Sequence, residues 1–141
     1  SVGMGVASPS GVVGVVVGVS PNYSVVMSLL NTDFRLSSSI SRNDYFGSLA
    51  WDGTNYRYAR LSEIPHHVQV TEGDTIVTSG YSAIFPAGLM AGTLTGDQKR
   101  GGDFVSLKVL LSVDFKKLTN VFVIGNLTGE ERENLEKEVI K

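Results

Sequence analysis

The stretch GVVGVVVGV at residues 11–19 restricts the fold of this chain more than any other segment. A P-loop requires a lysine and a hydroxyl directly after its last glycine, and no lysine follows Gly18. The spacing from Gly14 to Gly18 resembles a membrane dimerisation motif, but that motif needs an apolar run of about 20 residues, and this run ends at Pro21. Because valine favours extended backbone, the stretch predicts a β-strand.

An uninterrupted strand would divide this stretch between two faces, since successive side chains point to opposite sides of a strand. One predicted face carries valine only, and the other alternates valine with glycine: Val13, Val15, Val17 and Val19 against Val12, Gly14, Val16 and Gly18.

Similar short runs continue along the chain as far as residue 126, separated by turn signals about every ten residues. The runs are SVVMSLL (24–30), FRLSSSI (34–40), YFGSLAW (45–51), NYRYARL (55–61), TIVTS (75–79), LMAGTLTG (89–96), DFVSLKVLLSV (103–113) and NVFVIGN (120–126), with DQKRGG (97–102) as a polar tip. This pattern predicts an all-β fold of two small β-barrel-like domains, residues 1–63 and 64–126, divided near the proline-containing link at 62–67.

The tail at residues 127–141 differs from the rest of the chain. Thr128 and Glu131 have the spacing of a capping box, and Glu133 and Lys137 form a favourable i, i+4 pair. A helix of this length is marginal in isolation. The tail therefore predicts a short C-terminal helix or a disordered, charged segment.

Composition excludes several classes of function. The net charge of −2 over 141 residues does not supply the concentrated basic face that nucleic-acid binding requires. The absence of cysteine excludes disulfides and thiolate metal sites. No apolar run reaches the roughly 18 residues of a membrane span. Because the sequence begins without a methionine, we expect it to be a fragment of a longer protein.

The candidate chemistry of the side chains is sparse. His66 and His67 are adjacent and would point to opposite faces of an extended chain, which makes a poor shared metal site. The sequence around Ser82 lacks the second glycine of the G-x-S-x-G motif of serine hydrolases. We therefore expect no enzyme activity, no metal and no cofactor, with a double-barrel hydrolase as the less favoured alternative.

Three blocks resemble a known family. Residues 11–40 read as a valine/glycine strand, a turn, a V-x-L-L-like strand, a TD turn and an alternating strand. Residues 71–96 are similar to the motif G-D-x-V-V-T-S-G-x-x-x-x-F-P-x-G-x-x-x-G-x-V, and residues 114–126 to D-x-x-x-L-x-x-V-x-V. The matching positions of the second block are Gly73, Asp74, Val77, Thr78, Ser79, Gly80, Phe85, Pro86, Gly88 and Gly92. The chain thus resembles the periplasmic domain of the MreC family of bacterial rod-shape-determining proteins.

This resemblance implies a non-enzymatic scaffold of the cell-elongation machinery. The family implies a single membrane helix and a coiled coil before two β domains, on the periplasmic side of the inner membrane. It also implies self-association, a class B penicillin-binding protein as partner, and association with MreD, RodZ and MreB. Neither nucleic acid nor a cofactor is implied.

The second block also has a direct physical interpretation. Gly73 and Asp74 predict a turn, Gly80 predicts a positive φ, and Pro86 fixes φ, while Gly88 and Gly92 predict close approach of neighbouring backbone. Similar turns occur in barrel-sandwich adaptors of export and efflux systems, which remain an alternative function.

Aromatic residues are densest between positions 45 and 58. Because tyrosine and tryptophan are enriched at interface anchors, we expect partner binding through a group of five: Trp51, Tyr45, Phe46, Tyr56 and Tyr58. Trp51, beside the Asp52-Gly53 hairpin signal, is the predicted exposed anchor, and packing of these rings inside a barrel is the alternative. An open sheet edge is a second possible docking route, but the sequence does not indicate which strand lies at the edge.

Overall fold

The computed structural model describes residues 3–82, 84–118, 120–124 and 139–140. Within these residues the regular secondary structure consists of β-strands alone, which confirms the predicted all-β class. The strands are β1 (Gly5–Ser8), β2 (Gly11–Val19), β3 (Ser24–Ser28), β4 (Leu36–Ile40), β5 (Phe46–Ala50), β6 (Tyr58–Pro65), β7 (Thr75–Thr78), β8 (Met90–Gly101), β9 (Phe104–Leu111), β10 (Val121–Ile124) and β11 (Val139–Ile140).

The strands form two sheets. Six of them close into a barrel in the order β4-β5-β6-β9-β8-β7, with β7 pairing back onto β4. The other five form an open sheet in the order β11-β10-β1-β2-β3. Every neighbouring pair is antiparallel.

The sheets do not divide the chain at residue 63 as the sequence suggested. That boundary falls inside β6, and the barrel takes strands from both predicted domains. The open sheet instead combines the first three strands with β10, because β10 returns to pair with β1 along Gly5↔Ile124. The barrel is therefore an insertion between strands of the open sheet.

The predicted tail is described only at residues 139–140. There it forms β11, which pairs with β10 through Val121↔Ile140, so these two positions are neither the helix nor the disordered segment that the sequence predicts for the tail. The β-branched pair Val139-Ile140 suits a strand edge. The rest of that prediction lies outside the described residues.

β2 is the strand that joins the two hydrophobic clusters of the molecule. The register passes from Ala7↔Val12 to Val6↔Gly14, so Val13 is the extra residue of a β-bulge. As a result the predicted alternation of faces is interrupted. Val12 and Val15 pack in the barrel cluster. Val13 and Val16 pack in a second cluster with Val6, Val113, Val121 and Val123.

The barrel interior is filled by aliphatic side chains from all six strands. The fully buried ones include Ile40, Leu49, Leu61, Ile64, Ile76, Val109 and Leu111. Gly92 lies where β8 approaches β9, and a Cβ at this position would overlap the Leu110 carbonyl oxygen. The barrel interior is therefore a packed hydrophobic core.

Candidate partner-binding site

Two exposed aromatic rings, those of Phe46 and Tyr81, meet on the outer face of the barrel, and Tyr45 lies beside Phe46 along the chain. We name Tyr45, Phe46 and Tyr81 the aromatic patch. Their exposed fractions are 40%, 51% and 74%. The rings of Phe46 and Tyr81 lie 4.6 Å apart between centroids and are tilted by 45°. Tyr45 makes an edge contact with His67 at 6.0 Å. In the part of the chain that the structure describes, all three rings are open to solvent.

Two different elements bring the patch together. Phe46 begins β5 opposite Ser39 of β4, which fixes its ring on the outside of the barrel. Tyr81 lies on the loop after β7, where its N–H donates to the Ser79 hydroxyl at 3.2 Å. The Ser79 and Ser37 hydroxyls share a hydrogen bond of 2.7 Å, which fastens this loop to β4. The loop therefore holds Tyr81 against the strand that carries Phe46.

A surface cleft of about 470 Å³ lies beside the patch. Its lining includes small residues of the barrel wall together with a guanidinium, a carboxylate and a proline. It is lined by Arg35, Ser37, Tyr45, Phe46, Gly47, Ser48, Glu63, Pro65 and Ser82. Such a cleft beside exposed aromatic rings is suited to receive side chains of a partner.

The two charged groups of the cleft are held differently. The Arg35 guanidinium donates from Nη1 to the carbonyl oxygens of Thr32 and Phe34, which fixes its position beside the patch. Glu63 has a φ of +69° at a bulge of β6, between the pairs Leu61↔Leu107 and Ile64↔Val105. A bulge re-aims a side chain, and here the Glu63 side chain is exposed at the side of the cleft.

The remaining aromatic residues of the predicted group lie elsewhere. Trp51 follows the other end of β5 and is half-buried; its indole N–H donates to the Asn55 carbonyl oxygen at 2.9 Å and closes the loop between β5 and β6. The ammonium groups of Lys116 and Lys108 lie 4.5 Å and 4.4 Å from the ring centroids of Tyr56 and Tyr58. The structure thus brings together Tyr45 and Phe46 but not the other three.

Tyr81 is the patch residue that sequence reasoning missed. It stands 35 positions after Phe46, inside a segment interpreted as a loop of structural glycines. The available signal was a large aromatic side chain directly after a glycine in that loop. The loop itself is tied down by Thr78, whose hydroxyl donates to the Pro86 carbonyl at 2.6 Å and accepts from the Leu89 N–H at 2.9 Å.

The glycine-rich block positions this loop through its backbone. Gly73, Gly80 and Gly88 have φ values of +91°, +82° and +94°. Gly88 has open space around its Cβ position, so a left-handed backbone rather than close packing accounts for glycine there. Pro86 is exposed, and its carbonyl accepts the Thr78 bond described above.

Asp74 joins the turn at 71–74 to the turn after β4. Its carboxylate accepts from Nη2 and Nε of Arg42 at 2.8 and 3.1 Å and from the Thr71 N–H at 2.9 Å. The hydrogen bond from Arg42 is the main cause that lowers the pKa of Asp74, and the Thr71 N–H and the Arg42 charge act in the same direction against burial. Asp74 is thus a structural carboxylate.

Neither metal ligands nor a nucleophile paired with a base is brought together in the part of the chain that the structure describes. There, no group of three histidine or acidic side chains could hold a metal ion. The rings of His66 and His67 are 6.4 Å apart and nearly perpendicular. The Ser82 hydroxyl accepts from the Ile84 N–H at 3.1 Å. No described helix is long and apolar enough to cross a bilayer.

The family comparison covers most of the chain. Residues 1–125 match the family described as "Rod shape-determining protein MreC, barrel core". The chain belongs to the MreC family. This confirms the resemblance that the sequence motifs indicate.

Relatives and solved structures of the MreC family agree with this assignment. The cell shape-determining protein MreC of Listeria monocytogenes serovar 1/2a is 29% identical over 94 residues, which are 64% of this chain and 32% of that protein. The chain therefore spans about a third of its curated relative. The crystal structure of MreC from Pseudomonas aeruginosa has a TM-score of 0.79 at 26% identity and covers 88% of this chain and 80% of that one.

A further structure is a complex between penicillin-binding protein PBP2 and MreC from Helicobacter pylori. The similar chain has a TM-score of 0.68 at 22% identity and covers 85% of this chain and 75% of that one. At this identity the likeness shows a shared fold.

Proposed function

We propose that this chain is the β part of a non-enzymatic scaffold of the bacterial cell-elongation machinery, and that it binds a class B penicillin-binding protein through the aromatic patch. Membership of the MreC family is the observation that carries the proposal. The complex of PBP2 with MreC in Helicobacter pylori supports a penicillin-binding protein as the partner. The patch supplies the surface.

The physical case for the patch rests on its preorganisation. Phe46 stands on a barrel strand and contacts Tyr81, whose loop is hydrogen-bonded back to β4. Rings that are already fixed lose little side-chain freedom on binding, so more of their burial energy appears as affinity. Exposed aromatic side chains are also the residues most enriched among interface hot spots.

The charged groups of the cleft favour one orientation of a bound partner. Arg35 and Glu63 both line the cleft beside the patch. A partner whose own charges are arranged in the complementary order is favoured, and the reverse orientation is penalised. With a net charge of −2, we expect the aromatic rings to supply most of the affinity and the two charges to supply orientation.

The test is capture of the purified class B transpeptidase by this chain, measured for the wild type and for Phe46→Ala. A central aromatic anchor contributes about 2 kcal/mol or more, which corresponds to roughly 30-fold weaker capture. Tyr23→Ala is the matched control, because Tyr23 is 68% exposed but belongs to the open sheet. We expect the control to bind as the wild type does.

Two results would contradict the proposal in different ways. Unchanged capture by a folded Phe46→Ala chain would remove the patch as the docking surface. Failure of the wild-type chain to capture any class B transpeptidase would contradict the proposed identity of the partner. Circular dichroism and urea denaturation of the same samples distinguish loss of binding from loss of folding.

The non-enzymatic part of the proposal concerns Ser79 and Ser82. Their hydroxyls are hydrogen-bonded to the Ser37 hydroxyl and to the backbone N–H groups of Tyr81 and Ile84, none of which is a base. A serine nucleophile requires an adjacent base to activate it. We expect no labelling by serine-directed phosphonates, and stoichiometric labelling of either serine would overturn this part.

The wider setting follows from family membership. We infer that the longer protein is held on the periplasmic side of the inner membrane by a membrane helix, self-associates, and acts with MreD, RodZ and MreB. Cross-linking of the full-length protein in cells, followed by identification of the linked proteins, tests these partners together.

A further inference from the structure

β3 is the last strand of the open sheet, so among residues 3–82, 84–118, 120–124 and 139–140 no strand pairs with its outer edge. Its other edge pairs with β2, where the Leu29 N–H donates to the Val13 carbonyl at 2.7 Å just beyond the strand. Because backbone groups alternate in direction along a strand, Val26 and Ser28 direct theirs to the open edge. The hairpin is closed by Ser20, whose N–H donates to the Tyr23 carbonyl at 2.8 Å. The open edge is therefore an ordered row of donors and acceptors.

The side chains around this edge are apolar and exposed. The exposed fractions of Val17, Val19, Tyr23 and Val25 are 46%, 56%, 68% and 51%. Residues 1–32 contain no aspartate, glutamate, lysine or arginine. Proteins normally protect an exposed edge with lysine, proline, or a bulge in the edge strand. β3 contains no charge and no proline, and its sequence favours pairing.

We propose that the open edge of β3 pairs antiparallel with β3 of a second copy of this chain, around a two-fold axis at Val26. The inference rests on the self-association included in the proposed function and names its surface. The strand reads Ser24-Val25-Val26-Met27-Ser28. In this register serine faces serine at both ends, Val25 faces Met27, and Val26 faces its own copy.

This self-complementarity is the reason to favour a second copy over another partner. A two-fold interface requires one patch to match itself, and the near-palindromic order of β3 meets that requirement without a charge clash. The paired edges would continue the open sheet from one copy into the other. A contact limited to one short strand buries less area than permanent interfaces do, so we expect weak, reversible association.

The experiment is analytical ultracentrifugation of this chain over a wide range of concentration, up to the millimolar range. We expect the wild type to pass from monomer to dimer. Val25→Lys adds a charge to the edge strand at an exposed position, and we expect it to weaken dimerisation about tenfold or more. Val19→Lys is the matched control, since Val19 is comparably exposed but lies on β2 and pairs with Ser24 on the side of β3 opposite to the proposed interface. We expect it to dimerise within about twofold of the wild type.

Amide hydrogen exchange provides a readout of the hydrogen bonds themselves. Pairing predicts that the Val26 and Ser28 amides become protected as the wild-type concentration rises, and that this change is absent in Val25→Lys. Equal weakening by both lysine variants would indicate contact through side-chain faces and would overturn edge pairing. Unaltered dimerisation of Val25→Lys would do the same.

The remaining outcomes separate this inference from the docking proposal. A wild-type chain that stays monomeric at every concentration overturns the pairing and the self-association, and leaves transpeptidase capture to be judged by Phe46→Ala. Flotation of monomeric wild type with phosphatidylethanolamine vesicles would instead assign the hairpin to a lipid surface and also overturn the pairing. Dimerisation through β3 without transpeptidase capture would keep the pairing and refute the docking.

Discussion

Replacement of Gly80 by alanine tests how the loop that carries Tyr81 is held. Gly80 has a φ of +82°, and a Cβ on it would lie 2.9 Å from the Cβ of Ala87. The left-handed backbone costs about 1–2 kcal/mol for a residue with a side chain. Overpacking against Ala87 adds about 1–3 kcal/mol to this loss. Alanine also lowers the conformational entropy of the unfolded chain, which stabilises the folded state by about 0.4–1 kcal/mol. We expect Gly80→Ala to lower the free energy of unfolding by about 2–4 kcal/mol.

Two further variants divide this loss into its parts. Gly73→Ala has the same backbone problem, with a φ of +91°, but open space around the new Cβ; it should lose only about 1 kcal/mol. The double variant Gly80→Ala/Ala87→Gly removes the methyl group that the new side chain contacts. It should therefore regain the stability that overpacking against Ala87 costs in the single variant. Urea denaturation of all variants, with Ala87→Gly alone as reference, measures both parts.

The same variants report on binding, because Gly80 directly precedes Tyr81. We expect Gly80→Ala to weaken transpeptidase capture more than Gly73→Ala does, and the double variant to restore it. Equal stability losses at the two glycines, or no recovery in the double variant, would refute the argument that contact with Ala87 requires glycine at position 80.

Three further predictions concern single side chains. Asp74→Asn should lower stability by about 1 kcal/mol near neutral pH. Arg42 lowers the pKa of Asp74 in the folded state. The difference in free energy of unfolding between wild type and Asp74→Asn should therefore be full above the unfolded pKa of about 3.9 and vanish as pH falls through the folded value. Urea denaturation at a series of acidic pH values measures this difference. Glu63→Gly should raise stability by about 0.5–1 kcal/mol, because glycine adopts a positive φ without strain. Asp44→Gly, at a φ of +60°, should gain less because aspartate tolerates that backbone region. A lower melting temperature for Glu63→Gly would contradict this prediction. Trp51→Ala should lose about 1 kcal/mol of stability or more with its hydrogen bond to the loop and leave transpeptidase capture unchanged once folded; selective loss of capture would restore Trp51 as the anchor.

Local features of the fold were accessible from the sequence. In the run at residues 34–40 the alternating pattern puts Leu36, Ser38 and Ile40 on one face, and all three are buried in the structure, because alternation reflects which side of a strand meets the core. The turn signals likewise mark strand ends. Such features depend on a few neighbouring residues, so the local sequence contains the information.

Features that depend on distant partners were not accessible. The segment at 97–102 was interpreted as a polar tip, yet β8 continues to Gly101, because β9 offers it backbone partners such as Gln98↔Leu107 while the side chains stay in solvent. The bulge at Val13 depends on the register with β1. The meeting of Phe46 with Tyr81 requires β4 to lie between β5 and β7. Strand order decides each of these, and it is set by packing of the whole chain.

The pairing of β1 with β10 has a consequence for the order in which the molecule folds. Gly5 and Ile124 are paired although more than a hundred residues separate them, whereas all the barrel strands lie between residues 36 and 111. If the barrel forms first, its ends are held together and the effective loop that the open sheet must close shrinks to about 40 residues, which lowers the closure cost by about 1 kcal/mol. Strands β1 and β2 can then be completed into the open sheet only after β10, near the end of the chain, has formed. Amide protection during refolding would accordingly reach Leu61 and Val109 before Val6 and Val123, with the barrel acting as the template on which the open sheet is completed.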